Sequence, residues 1–119
     1  MDRAIEQIAE AFSRHRFTEA YPYLLDDVRW NLVGDKEVVG REDVVSTCEQ
    51  SAEYLAGVTT RFSKFKIVVG EDSVVIDSEA EYVDEDNKSS VVASCDIFDF
   101  ANGQLSGITS YTIELGNSA

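Results

Sequence analysis

The chain has 119 residues, 44% hydrophobic and 28% charged, which is one domain's worth with enough apolar material for a packed core. Its 23 acidic residues outnumber 10 basic ones, for a net charge of −13. That field repels phosphate backbones and anionic lipid, so neither nucleic acid nor a membrane is an expected partner. No apolar run reaches the roughly 20 residues of a membrane span. The charged start, Met1-Asp2-Arg3, leaves no room for the apolar core of a secretory leader, and a cytoplasmic protein is expected.

Ile5, Ile8, Ala9 and Phe12 recur at helical spacing, so residues 2–14 read as an amphipathic helix. Asp2 and Glu6 near its start and Arg14 and Arg16 near its end suit the helix dipole. The one histidine, His15, falls in that basic turn and reads as a solvated cap. Thr18 serves as N-cap of a second short helix over 18–25, with Pro22 early enough to be tolerated. Residues 28–33 alternate as a strand, with Val28, Trp30 and Leu32 on one face. Gly40 opens a third helix with the stripe Val44, Val45, Cys48, Ala52 and Leu55; Gly57 reads as its C-terminal cap glycine. Four strands follow, at 59–69, 73–83, 90–100 and 104–115. Their links are short, and Asn102-Gly103 is a strong two-residue hairpin signal. The pattern is α+β: three N-terminal helices packed on a strongly curved, mainly antiparallel sheet, in a single domain over 1–119. A cone of this kind leaves a pocket between helices and sheet.

Cys48 and Cys95 fit no metal or redox spacing and read as buried structural thiols. One histidine and scattered cysteines build no zinc site, so no metal is expected, and no cofactor motif is present. Asp96 stands out as a carboxylate within an otherwise apolar strand. With the register set by the Asn102-Gly103 turn, Phe98 faces Gly107 and Asp96 faces Thr109. One face then holds Val92, Ser94, Asp96, Phe98, Phe100, Thr109, Tyr111 and Ile113. A carboxylate among aromatics is desolvated and its pKa rises, which suits a general acid or base. The alternative is that Asp96 pairs with Thr109, Ser94 or a backbone group and only holds register. Trp30, Phe98, Tyr54 and Tyr111 are the candidate ligand-binding aromatics, with Tyr82 a further tyrosine candidate. Arg29 and Arg61 are expected to pair with acids, and Asp77, Glu79 and Glu81 to form a solvent face.

The helix–helix–strand–helix–meander order is one point of resemblance. Leu25-Asp26-Asp27-Val28 enters the first strand, and Gly40-Arg41-Glu42-Asp43-Val44 opens the third helix. The tail runs from Phe98-Asp99-Phe100-Ala101-Asn102-Gly103-Gln104-Leu105 to Tyr111. Together these resemble the nuclear transport factor 2-like superfamily, in its SnoaL-like and ketosteroid-isomerase-like branch. The resemblance implies a cone-shaped (cystatin-like) fold, an apolar pocket and a homodimer through the sheet. That branch's isomerases use a base Asp on the first strand, a Tyr on the first helix and an Asp on a late strand. Here those positions fall on Asn31 or Leu32, near Ile8, and on Asp96, so a standard ketosteroid isomerase is not expected. The related epoxide hydrolases place an Arg two residues before an Asp, a pattern no strand here carries. The scytalone-dehydratase type relies on pocket histidines, and His15 reads as outside the pocket. Polyketide-cyclase-like members lean on a late-strand acid, the part open to Asp96.

Three functions follow as expectations. The first is binding of a small, largely apolar molecule in the cone. The second is isomerase or cyclase-like acid–base chemistry on Asp96. The third is a protein-interaction module.

Overall fold

A computed structural model describes residues 4–116. Among them are two α-helices, α1 (Ile5–Ser13) and α2 (Arg41–Leu55), and six strands. The strands are β1 (Leu24–Leu32), β2 (Lys36–Val39), β3 (Thr59–Val69), β4 (Ser73–Val83), β5 (Ser89–Ala101) and β6 (Gln104–Gly116). They form one curved sheet in the order β2-β1-β6-β5-β4-β3. Every neighbouring pair is antiparallel except β1 with β6, which run parallel. Both helices lie on the same face of the sheet: α1 against β3, β4 and β5, α2 against β1 and β2.

The apolar stripe of α1 lands as its periodicity requires, with Ile8, Ala9 and Phe12 buried. The proposed start at residue 2 lies outside the described residues. Phe12 is the hub of the core. Its ring meets Phe17, Trp30 and Phe98 edge-on at centroid distances of 5.2, 5.1 and 5.7 Å.

The second helix expected over 18–25 is replaced by two 3₁₀ turns, Phe17–Glu19 and Tyr21–Tyr23, after which β1 has already begun. Pro22 offers no N–H to a continuing helix, and the bonds present are three-residue ones, such as Tyr23 N–H to Ala20 carbonyl at 3.0 Å. The four-residue β2 is a strand the sequence did not announce. Gly34 (φ +85) makes the tight turn that folds it back on β1. Gly57 does not adopt the left-handed geometry of a cap glycine. The Asn102-Gly103 turn is as expected, with φ of +53 and +79 and Ala101 paired with Gln104.

The register beyond that turn differs from the expected one. Phe100 pairs with Leu105, but Asp99 already pairs with Gly107, leaving Ser106 as an extra residue in β6. The Ser106 hydroxyl donates to the Asp99 carbonyl at 3.0 Å. From there on, β6 is turned over relative to the simple hairpin. Phe98 faces Ile108, Asp96 faces Ser110 and Ser94 faces Thr112. Ser110 and Thr112 therefore join Asp96 on the helix-covered inner face, and Thr109, Tyr111 and Ile113 go to the outer face.

Candidate functional site

Residues of β5 alternate in direction. Phe98, Asp96, Ser94 and Val92 point inward beneath the helices, and Ile97, Cys95 and Ala93 point outward. Asp96, Ser94 and Val92 of this set floor a cleft of about 590 Å³ between the two helices and the sheet. Phe12, Phe17, Trp30 and Leu32 form apolar walls, and Tyr54, Gln50 and Lys36 are among the other lining residues.

Asp96 is largely buried at the floor and is held by two hydroxyls. Ser13, the last residue of α1, donates to Oδ2 at 2.9 Å. Ser110, directly across on β6, hydrogen-bonds the same carboxylate. Trp30 Nε1 donates to Ser110 Oγ at 2.9 Å, which leaves the Ser110 hydroxyl proton free for Asp96. Burial pushes the Asp96 carboxyl above the usual carboxylate range; the bonds from Ser110 and Ser13 offset part of that rise. One carboxyl, oriented by donors and set in an apolar cleft, can exchange a proton or hydrogen-bond a polar group of a guest.

His15 is not a solvated cap. It occupies the position after the C-cap of α1 with φ +67, where glycine is the usual choice. The Arg16 N–H bonds the Ala11 carbonyl at 2.8 Å and the His15 N–H bonds the Phe12 carbonyl at 3.0 Å, which is a Schellman closure. This conformation carries the imidazole into the cleft wall, among Phe17, Phe62 and Tyr82, at centroid distances of 5.8, 6.1 and 6.0 Å. Burial lowers its pKa, so the ring is neutral at pH 7. The expectation that this chain has no pocket histidine is thereby corrected.

Tyr82 also lines the cleft, its phenol pushed up by burial first, then by the Asp96 charge and by Tyr54. Neither cysteine is poised as a nucleophile. Burial takes the Cys48 thiol up to about 12, and Cys95 is raised by burial and by Asp77 and Asp96. Cys95 is half-buried on the outer face rather than in the core. No three His, Cys, Asp or Glu side chains among the described residues converge on a cation-sized site.

Of the residues singled out from sequence, Asp96, Trp30 and Tyr54 line the cleft, Tyr54 while 68% exposed. Phe98 is fully buried beneath the floor against Phe12 and does not line the cleft. Tyr111 is on the opposite face, 46% exposed, because the Ser106 bulge turns β6 over. Ser13, Ser110 and Lys36 went unnoticed. A serine ending a helix, a serine immediately before the favoured Tyr111 and a lysine in a short strand gave no periodic signal of their own. Arg29 and Arg61 pair with Glu37 and Glu81, each at 3.2 Å, as expected.

The family model of the SnoaL-like domain matches residues 5–108, and the chain belongs to that family. Its fold is nuclear transport factor 2-like. A nuclear transport factor 2-like protein of unknown function from Cytophaga hutchinsonii is 31% identical, with a TM-score of 0.80 over 90% of this chain and 94% of that one. A candidate polyketide cyclase from Xanthomonas campestris is 18% identical, TM-score 0.69, over 91% and 92%. An LEH-like epoxide hydrolase of M. tuberculosis is 17% identical, TM-score 0.68, over 92% and 82%. The last two likenesses are of fold. No curated protein matches the sequence. No helix among the described residues is long and apolar enough to cross a membrane.

The strain of burying Asp96 yields a test. Its native pKa lies above the unfolded value, so the native state binds the proton more tightly and stability falls as pH rises through that window. Asp96→Asn is expected to raise the Tm at pH 8 by roughly 4 °C, the effect of about 1 kcal/mol in a chain of this size. The gain should narrow as the pH falls toward the ordinary carboxylate range, read by calorimetry on both proteins across a pH series. His15 titrates in both and cancels in the difference.

Proposed function

We propose that this chain binds a small, largely apolar molecule in the cleft, with Asp96 holding the molecule's polar oxygen, in a cytoplasmic setting. The observation carrying this reading is the single desolvated carboxyl at the floor of an aromatic-walled cleft, oriented by Ser13 and Ser110. Trp30 supplies a flat wall and Tyr54 an aromatic edge. As the chain's one tryptophan, Trp30 also provides a built-in reporter through its indole N–H resonance. In titrations followed by that resonance, 2-naphthol is expected to bind about tenfold more tightly than naphthalene, one net hydrogen bond's worth. Asp96→Asn should shrink the preference, and Asp96→Leu should remove it while naphthalene binding persists. Equal affinities in the wild-type protein would count against the anchor.

A second reading has its own support. A carboxyl raised out of its ordinary range changes protonation nearer to neutrality, as an acid–base group acting on an enolisable carbonyl compound needs. Isomerase or polyketide-cyclase-like chemistry on Asp96 would then follow binding. The base position of a standard ketosteroid isomerase falls on Asn31 or Leu32 and its phenol position near Ile8, so that enzyme's own chemistry is not the one proposed. The probe is 2-tetralone in D₂O. Catalysed deuterium exchange beside its carbonyl, slowed at least 100-fold in Asp96→Asn, is the expected outcome for an enzyme. Exchange at the buffer rate leaves the protein a binder.

The outer face supports a homodimer through the sheet. Tyr111 and Ile113, 46% and 62% exposed, stand beside half-buried Ile97, Cys95 and Ala93. Lys66 opposite Asp77, Lys64 opposite Glu79 and Arg61 opposite Glu81 edge this strip with charge. An apolar centre with a charged rim is the anatomy of a protein interface. Ile113→Lys is expected to convert a dimer to monomer in sedimentation velocity. A wild-type monomer at 50 μM would rule the dimer out.

A further inference from the structure

The cleft carries a second charged group that the pocket reading does not use. Lys36 stands on β2 beside Leu32 of β1; Leu32 pairs with Ser110 of β6, and Ser110 with Asp96 of β5. These four residues form one row across the inner face, with Lys36 at one end and Asp96 at the other. Three strand steps of about 4.8 Å set the two backbones about 14 Å apart. Lys36 lines the same cleft as Asp96, and its side chain is exposed.

Its charge is uncommitted. Arg14, Arg16, Arg29, Arg61 and Lys64 each have an acidic partner within 3.4 Å. Lys36 has none among the described residues, in a chain with 23 acids available. Its neighbour Glu37 is turned to the outer face and bonded to Arg29. Among the described residues Lys36 is also the one Lys or Arg in the cleft lining, and His15 there is neutral. Between the two ends of the row lie Leu32 and Ser110, the latter taken up by the Trp30 indole, and the apolar rings of Trp30 and Phe12 line the same cleft.

We infer that the cleft takes an amphipathic acid: a flat apolar body with an oxygen for Asp96 at one end and a carboxylate for Lys36 at the other. This rests on the pocket reading above and names the chemical class of its guest. A protein of net charge −13 disfavours anions at long range, so an anionic guest needs a local cation, and within about 8 Å at physiological salt Lys36 supplies it. The lysine then sets end-to-end orientation as well as affinity, because only one polar end of the guest matches each end of the row.

The test compares 2-naphthol with 6-hydroxy-2-naphthoic acid, which adds a carboxylate at the far end of the same frame. Calorimetric titrations of the full chain are run in 20 mM and 300 mM NaCl. The acid is expected to bind roughly fivefold more tightly than 2-naphthol, the scale of a part-exposed ion pair. Lys36→Gln should erase that margin and leave 2-naphthol unchanged, whereas Lys36→Arg should keep it. A wild-type protein that binds 2-naphthol as well as or better than the acid overturns the inference and spares the pocket. Equal losses for both probes in Lys36→Gln also overturn it, since that result marks a structural role. Failure of both probes to bind overturns the pocket reading together with this one.

Discussion

One extra residue in β6 decides which side chains meet over the cleft. Side chains alternate with a period of two, so a single inserted residue exchanges the two faces of everything beyond it. With Ser106 bulged out, Ser110 lies opposite Asp96 on the inner face and Tyr111 is sent outward. Without the bulge, Asp96 would face Thr109, and Ser110 would be on the outer face, out of reach of the Trp30 indole. The hydrogen-bonded run Trp30–Ser110–Asp96–Ser13 therefore depends on a distortion that lies beyond Asp99, further along the strand from the carboxylate. A buried carboxyl robbed of one of those donors loses about 1–3 kcal/mol, so the run is also a constraint on the core.

The end of α1 serves the site twice. Its last residue, Ser13, donates to Asp96, and two residues later the Schellman closure holds His15 in the left-handed region. A non-glycine residue there costs roughly 1–2 kcal/mol. Here the fold tolerates that cost where the imidazole is packed against three aromatic rings. Arg14, between them, folds back with its guanidinium 3.9 Å from the Phe65 ring and 2.8 Å from Glu10. Three consecutive residues thus go to the floor, the β3 aromatics and the wall.

Much of the architecture was legible because it rests on local pattern. The α1 stripe, the long strands and the Asn102-Gly103 turn each follow from periodicity or a turn dipeptide within a dozen residues. Asp96 was legible for the same reason, as an acid at an inward position of an apolar strand. Tyr111 was misplaced because a bulge carries no periodic signature: Gln104-Leu105-Ser106-Gly107-Ile108 reads equally well in either register. The β1–β6 pairing joins residues some eighty positions apart, so the meeting of Trp30 with Ser110 is invisible locally. His15 was misread because its charge-rich neighbours suggested solvent, whereas its placement follows from how the helix closes.

The sheet is open, and its two edges are unequal. β2 is only four residues long, but β3 presents an eleven-residue edge with Val68 and Val69 half exposed at its end. Such an edge is a template for adding a strand from another molecule. The bulge at Ser63, between Phe62 and Lys64, breaks its regularity, and Arg61, Lys64 and Lys66 stand along it. Those three cations are what an incoming chain would have to neutralise or displace before its backbone could zip on. Replacing them with apolar residues would leave the cleft intact and turn the molecule into a seed for strand-by-strand aggregation.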